Sequence, residues 1–286
     1  MTRSTKGALC VLTSTILYSL GGVLIMSIPP EWNGLTMNAA RSLISVVVYT
    51  AFLLFSRHKL KFNRWVLFGA VNVGLNNTVF AVANRMTSVA NVTVLQFTAP
   101  VFIIIFSALF LRKRPRRLEI IACGVVFSGI CCFFLDSLGG GTMAGDLLAV
   151  FSGMLYGLTF MLNDMPDGDP VSSVFFGAFL GAILGVPSFL ADPPPALEGM
   201  ELVSMLVLGL AQTGLAYVFL ILGLRSTPAI TASLIAGIEP ILGPTLVAIV
   251  YKEVMGRFSI LGACVVVGGV VVYNVLKARE ETSASS

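Results

Sequence analysis

Charge is what this sequence of 286 residues has least of. Only 11% of its residues are charged, where a soluble domain carries about 25%, and that excludes an ordinary soluble fold. Histidine is nearly absent too. The one copy, His58, lies among Arg57, Lys59 and Lys61, where it reads as a solvated filler, so the apolar runs hold no imidazole for catalysis or metal binding. Five cysteines all fall within apolar runs, no C-x-x-C occurs, and Cys131 and Cys132 are adjacent. They read as small apolar fillers and exclude a disulfide frame; no metal site or other cofactor is expected. The absence of a G-x-x-x-x-G-K-[ST] stretch means that ATP is not the direct drive in this chain. The absence of G-x-S-x-G, and of a second acid deep within the membrane to partner Glu239, leaves an intramembrane enzyme the remotest of the function classes.

What is present is apolar length. Hydrophobic residues make up 56% of the chain, and the mean hydropathy is +0.93. Ten apolar segments can be counted, near 7–28, 33–55, 65–83, 88–111, 118–135, 146–163, 171–191, 201–224, 228–251 and 257–276. Most reach the ~20 residues that a spanning helix requires, which predicts an all-α integral membrane protein with ten transmembrane helices. Arg3 and Lys6 resemble the start of a signal peptide, but the first run is too long and ends in Pro29-Pro30 without a cleavage pattern, so it is expected to stay as the first span. With the N-terminus inside, fourteen lysines and arginines fall in inner segments and three in outer ones. The bias predicts both termini in the cytoplasm, and it gives the net charge of +4 a topological meaning with no bearing on nucleic acid. The stretch from Glu280 to Ser286 reads as a short, polar, disordered tail.

The run 228–251 contains Gly237-Ile238-Glu239-Pro240-Ile241-Leu242-Gly243-Pro244. An ionisable group at the centre of a bilayer costs roughly 3 kcal/mol on insertion scales. Pro240 and Pro244 each remove a helix donor, and opened backbone is tolerated at that depth only against protein or a watery cavity. Glu239 is therefore a candidate for substrate binding or ion coupling. The plainer reading, a protonated or paired acid with prolines that only shape a kink, stands beside it.

The chain also repeats itself. Residues 69–134 align without gaps on 209–274, so that Gly69, Gly74, Arg85, Thr87, Pro100 and Gly129 meet Gly209, Gly214, Arg225, Thr227, Pro240 and Gly269. Gly7, Ser14 and Tyr18 meet Gly145, Ser152 and Tyr156 at a slightly shorter offset. Two units follow, 1–140 and 141–286. Five spans per unit is an odd number, so the second copy must be inverted across the membrane. Inverted repeats with interrupted helices at matching places, here Pro100 and Pro240, are an architecture of secondary transporters.

On these residues the chain resembles the drug/metabolite transporter superfamily, in particular its EamA-type ten-helix members. The resemblance spans nearly the whole length. It rests on the duplicated unit, the Thr98-Ala99-Pro100-Val101-Phe102 and Ile238-Glu239-Pro240-Ile241-Leu242 segments, Arg41 within the second run, and the basic link from Arg112 to Arg117. The link after the ninth run keeps the family's acid at Glu253, whereas its first-half counterpart is Lys113. The resemblance implies a central cavity lined by helices one, three, four, six, eight and nine.

Polar residues inside the runs are the candidates for lining it. The third run carries Asn72 and Asn76 four apart on one helix face, with Asn77 beside them. Gln212 and Tyr217 are the repeat-mates of Asn72 and Asn77. Such amides either line a cavity or join helices to one another. Gln96 lies one turn before Pro100, and Tyr18 and Tyr156 are mates that either face a substrate or anchor an interface. Arg41 is the other deep charge: it pairs with Glu239, holds a substrate carboxylate, or bonds to backbone carbonyls. Gly177, Gly181 and Gly185 form a small-residue ridge for packing within the molecule or against a second copy, so a monomer and a homodimer both stay open. The expected function is that of a secondary transporter in the cytoplasmic membrane, exporting small organic metabolites, amino-acid-like or similar, by alternating access with proton or counter-substrate coupling. The alternative is a flippase or channel for lipid-linked or small polar cargo.

Overall fold

The computed structural model describes residues 3–110, 117–137, 142–162, 167–227, 232, 235–252 and 256–285. The links from Arg112 to Arg116 and from Asn163 to Pro166, the start of the ninth run at Pro228, and Glu253 lie outside the described residues. Every element among those residues is helical. The first run is α1 (Arg3–Ser19) and α2 (Gly21–Met26), interrupted at Leu20. It is followed by α3 (Gly34–Ser56), α4 (Arg64–Met86), α5 (Val89–Gln96), α6 (Ala99–Phe110) and α7 (Arg117–Ser137). The second half holds α8 (Met143–Met161), α9 (Pro170–Ala191) and α10 (Gly199–Val207), which continues through a π-helical segment (Leu208–Leu215) into α11 (Ala216–Leu224). Two helices, α12 (Glu239–Tyr251) and α13 (Arg257–Ser285), complete it.

Side-chain caps set several of these starts. Asn33 accepts from the backbone N–H of Leu35 and Thr36 at 3.0 and 3.1 Å, and Asn63 does the same for Trp65 and Val66 at 2.9 Å. Each supplies an acceptor for donors that the first helical turn leaves unpaired. Among the described residues, seven helices are long and apolar enough to cross a membrane, and three shorter apolar ones, Ile120–Cys132, Glu239–Tyr251 and Arg257–Tyr273, fall at the remaining expected runs. The last helix does not fray where a disordered tail was expected. It continues to Ser285, through Ala278, Arg279, Glu280 and Glu281, all good helix formers.

The packing follows a two-fold pattern. Helix α4 lies against α8 and α9, while α11 with its π segment lies against α1 and α3. Helix α6 packs on α8 as α12 packs on α1 and α2, and α7 pairs with α13 as α3 pairs with α9. Repeat-related glycines make the close approaches: Gly69 and Gly74 meet Ser173 and Gly177 of α9, and Gly209 and Gly214 meet Ile44 and Val48 of α3. The glycine ridge of α9 is consumed in the same way. A Cβ at Gly177 would come within 2.9 Å of the Ala70 carbonyl, one at Gly181 within 2.8 Å of Ser42 Oγ, and one at Gly185 would run into the Leu35 carbonyl. The ridge therefore packs inside the molecule and is not a surface for a second copy.

Candidate functional site

Two helices restart at corresponding places. Helix α5 ends at Gln96, Phe97 and Thr98 form a turn in which the Thr98 amide and hydroxyl both donate to the Leu95 carbonyl at 3.2 and 2.7 Å, and α6 begins at Ala99. In the second half a turn at Gly237 and Ile238 precedes α12. Pro100 and Pro240 thus both stand second in a new helix, where the missing N–H costs no intrahelical bond. Pro244 behaves differently from the expected break. It lies inside α12, which runs on through it. Glu239 is the first residue of α12, where the unpaired amides and the helix dipole favour negative charge.

These interruptions border one cavity. It is lined from the first half by Tyr18, Arg41, Asn76, Asn77, Phe80 and Gln96, and from the second by Tyr156, Gln212, Thr213, Tyr217 and Glu239. Its volume is about 30 Å³ for the centres of water molecules, enough for about two waters and far below the ~300–1,000 Å³ of pockets that enclose organic ligands. Tyr18 sits edge-on to Tyr156 and Tyr217, with ring centroids 6.4 and 5.7 Å apart. Gly21, just past the interruption between α1 and α2, lets Gln212 approach: a Cβ there would lie 2.9 Å from its Nε2.

The polar network is anchored by Arg41. Its Nε donates to Asn38 Oδ1 at 3.1 Å and a terminal nitrogen donates to the Asn77 carbonyl at 2.7 Å, while the guanidinium lies 5.9 Å from the centre of the Phe80 ring. Asn38 in turn donates to Thr78 Oγ1 at 2.9 Å. Arg41 and Glu239 line the same cavity, yet no ion pair joins them; the only pair among the described residues is His58 with Asp169. Tyr217 donates to Asn77 Oδ1 at 3.4 Å and accepts from Asn76 Nδ2 at 3.5 Å. Among the described residues the Asn76 Oδ1 and the Tyr18 hydroxyl have no hydrogen-bond partner. Asn72 is not part of the lining. Its amide donates at 3.0 Å to both the Leu155 carbonyl and Thr159 Oγ1 on α8, so it joins helices while Asn76, one turn further, faces the cavity.

Other residues were not foreseen. Phe80 extends the Asn72–Asn76 face by another four residues, a spacing that marks it. Thr213 carries no such signal, because it reaches the cavity from the π segment, whose first-half counterpart is ordinary α-helix within α4. Tyr49 holds that segment by donating to the Thr213 carbonyl at 2.8 Å. A second acid is also buried: Asp146, fully enclosed in the first turn of α8, accepts from Thr87 Oγ1 at 2.6 Å and lies apart from the cavity lining. His58 is more than a filler. Its Nε2 lies 2.8 Å from Asp169 Oδ2, tying the link before α4 to the cap of α9. Burial pushes the Asp169 carboxyl upward, but hydrogen bonds from Ser172 and His58 outweigh it and hold the group below its usual range.

The sequence model of the EamA-like transporter family matches the chain twice, over residues 5–135 and 143–275. A curated relative, "Uncharacterized transporter YwfM" of Bacillus subtilis (strain 168), is 26% identical over 290 residues, covering 98% of this chain and 97% of its own. A solved crystal structure superposes with a TM-score of 0.68 at 18% identity, over 96% of this chain and 99% of that one. That likeness is one of fold.

Proposed function

The chain belongs to the EamA-like transporter family and is a multi-pass membrane protein, and from that premise we propose that it is a secondary active transporter. It exports small organic metabolites from the cytoplasm by alternating access around the cavity between its two halves. In this reading the units 1–140 and 141–286 are inverted five-helix repeats, ten spans in all, in the cytoplasmic membrane with both termini inside. The observation that carries it is the cavity itself. Repeat-related tyrosines and two interrupted helices meet there, and the space is too small for an organic solute, so passage requires the halves to part. Bistable halves rocking about such a site supply that movement.

Tyr18, Asn76, Asn77, Gln96, Tyr156, Gln212, Tyr217 and Glu239 line the route, with Arg41 fixing its network. Glu239 is the titratable group that takes and releases the coupling proton. It has no cationic partner among the described residues, and it sits at a helix start where protonation can be traded against the dipole. The reading is tested by counterflow in proteoliposomes. Saturable exchange of labelled solute against the same unlabelled solute is expected. Flux that rises linearly without exchange identifies a channel, and movement of lipid-linked cargo alone identifies a flippase.

A further inference from the structure

Resting on the reading that this cavity is the transport site, we propose that its substrates enter it through an ammonium group bearing N–H donors, that is, a primary amine in its protonated form. Two buried oxygens are the starting point. Asn76 is 2% exposed. Its amide N–H is directed to the Tyr217 hydroxyl, which directs its own proton to Asn77 Oδ1. Among the described residues this chain of bonds leaves Asn76 Oδ1 without a partner, the hydroxyl of Tyr18 is without one too, and both residues line the cavity. The one cation in the lining, Arg41, directs its Nε to Asn38 and one terminal nitrogen to the Asn77 backbone. Glu239 contributes a carboxyl with no ion pair among the described residues.

An unmet buried acceptor is costly, and the ligand that meets it gains what the free protein lacks. Asn76, Tyr18 and Glu239 all line one space of about 30 Å³, so a single small group can reach them together. A primary ammonium has three N–H donors and a positive charge to match. A quaternary ammonium has the charge but no donor, and an alcohol has one donor and no charge. The rings of Tyr18, Tyr156 and Tyr217 attract a cation as well, but that attraction serves primary and quaternary heads alike. The unpartnered amide oxygen is what separates them.

The test is thermal unfolding of the purified full-length protein with three probes of one body: 2-phenylethylamine, its N,N,N-trimethyl analogue, and 2-phenylethanol. Stabilisation by the amine is expected, with the other two binding at least about tenfold more weakly, since a site built around hydrogen bonds rejects analogues that lack them. Asn76→Ala should lose most of the preference for the amine over the trimethyl compound, and Asn72→Ala, outside the lining, should keep it. If Asn76→Ala does not fold, Tyr18→Phe serves instead and should narrow the same preference. Equal binding of the amine and the trimethyl compound overturns the inference. So does the absence of any amine shift while another class of solute exchanges in counterflow, an outcome that leaves the transporter reading intact. Amine binding that depends on Asn76 without exchange of any solute upholds the inference and sinks that reading.

Discussion

Tyr18 and Tyr156 occupy equivalent places in the two halves of the chain, and their rings meet edge to face across the cavity at 6.4 Å. Both tyrosines line the cavity. Each is carried inward by a helix whose glycine two turns or more away, Gly7 for α1 and Gly145 for α8, allows close contact with the other half at Ser226 and Thr227 or at Met86 and Thr87. The pair marks the place where the two repeats face one another, and every functional expectation for this protein converges there.

Asn72 and Asn76 share a helix face but not a task. Asn72→Ala should destabilise the protein by about 0.6 kcal/mol, and by no more than ~1.7 kcal/mol, the range for hydrogen bonds between helices in a membrane. Solute selectivity should remain as in wild type. Thermal unfolding in detergent together with a competition panel checks both halves of this expectation; a changed solute preference would place Asn72 in the route after all.

Gly185→Leu should be far more damaging than its size suggests. The new side chain would be driven into the Leu35 carbonyl and Ala39 of α3, and overpacking of that kind costs about 1–3 kcal/mol. Gly199, where a Cβ meets nothing within 4 Å, is the wrong control because its φ of +52° strains any side chain. Gly124, equally open and helical, is the right one. Gly124→Ala should leave the melting temperature within a degree or two of wild type, or raise it slightly.

The Asp169 carboxyl is held below its usual range, so its contribution to stability is present above the unfolded value of about 3.9. That contribution is lost as the pH falls through the lower folded value. Melting temperature followed from pH 6 downward should therefore decline more steeply for wild type than for Asp169→Asn below about pH 4. Parallel profiles would mean that the contact with His58 and Ser172 contributes nothing.

Much of this was legible in the residues. The interruptions near Pro100 and Pro240 leave a mark in the sequence because proline lacks the helix donor, and the polar candidates stand out because amides and a carboxylate are expensive in lipid unless something meets them. The limits were equally physical. Whether an amide joins helices or faces a cavity depends on what stands opposite it, and Asn72 and Asn76, on one helix face, differ in that only in three dimensions: α8 bonds Asn72 while Asn76 lines the cavity. The π segment at Leu208–Leu215 is built from the same residue types as an α-helix and had no signature. Pro240 and Pro244 look alike in the sequence, yet one stands at the start of α12 and the other inside it. Asp146 was hidden at the edge of its run, where an acid looks solvated until Thr87 is found against it.

The most direct measurement is flux driven by an imposed pH gradient in proteoliposomes, comparing wild type with Glu239→Gln. Solute should accumulate in wild type when the gradient is applied and should fail to do so in the variant, while counterflow at equal pH persists in both. Accumulation in Glu239→Gln at the wild-type rate and with the wild-type pH dependence would contradict the account and remove Glu239 from the coupling step.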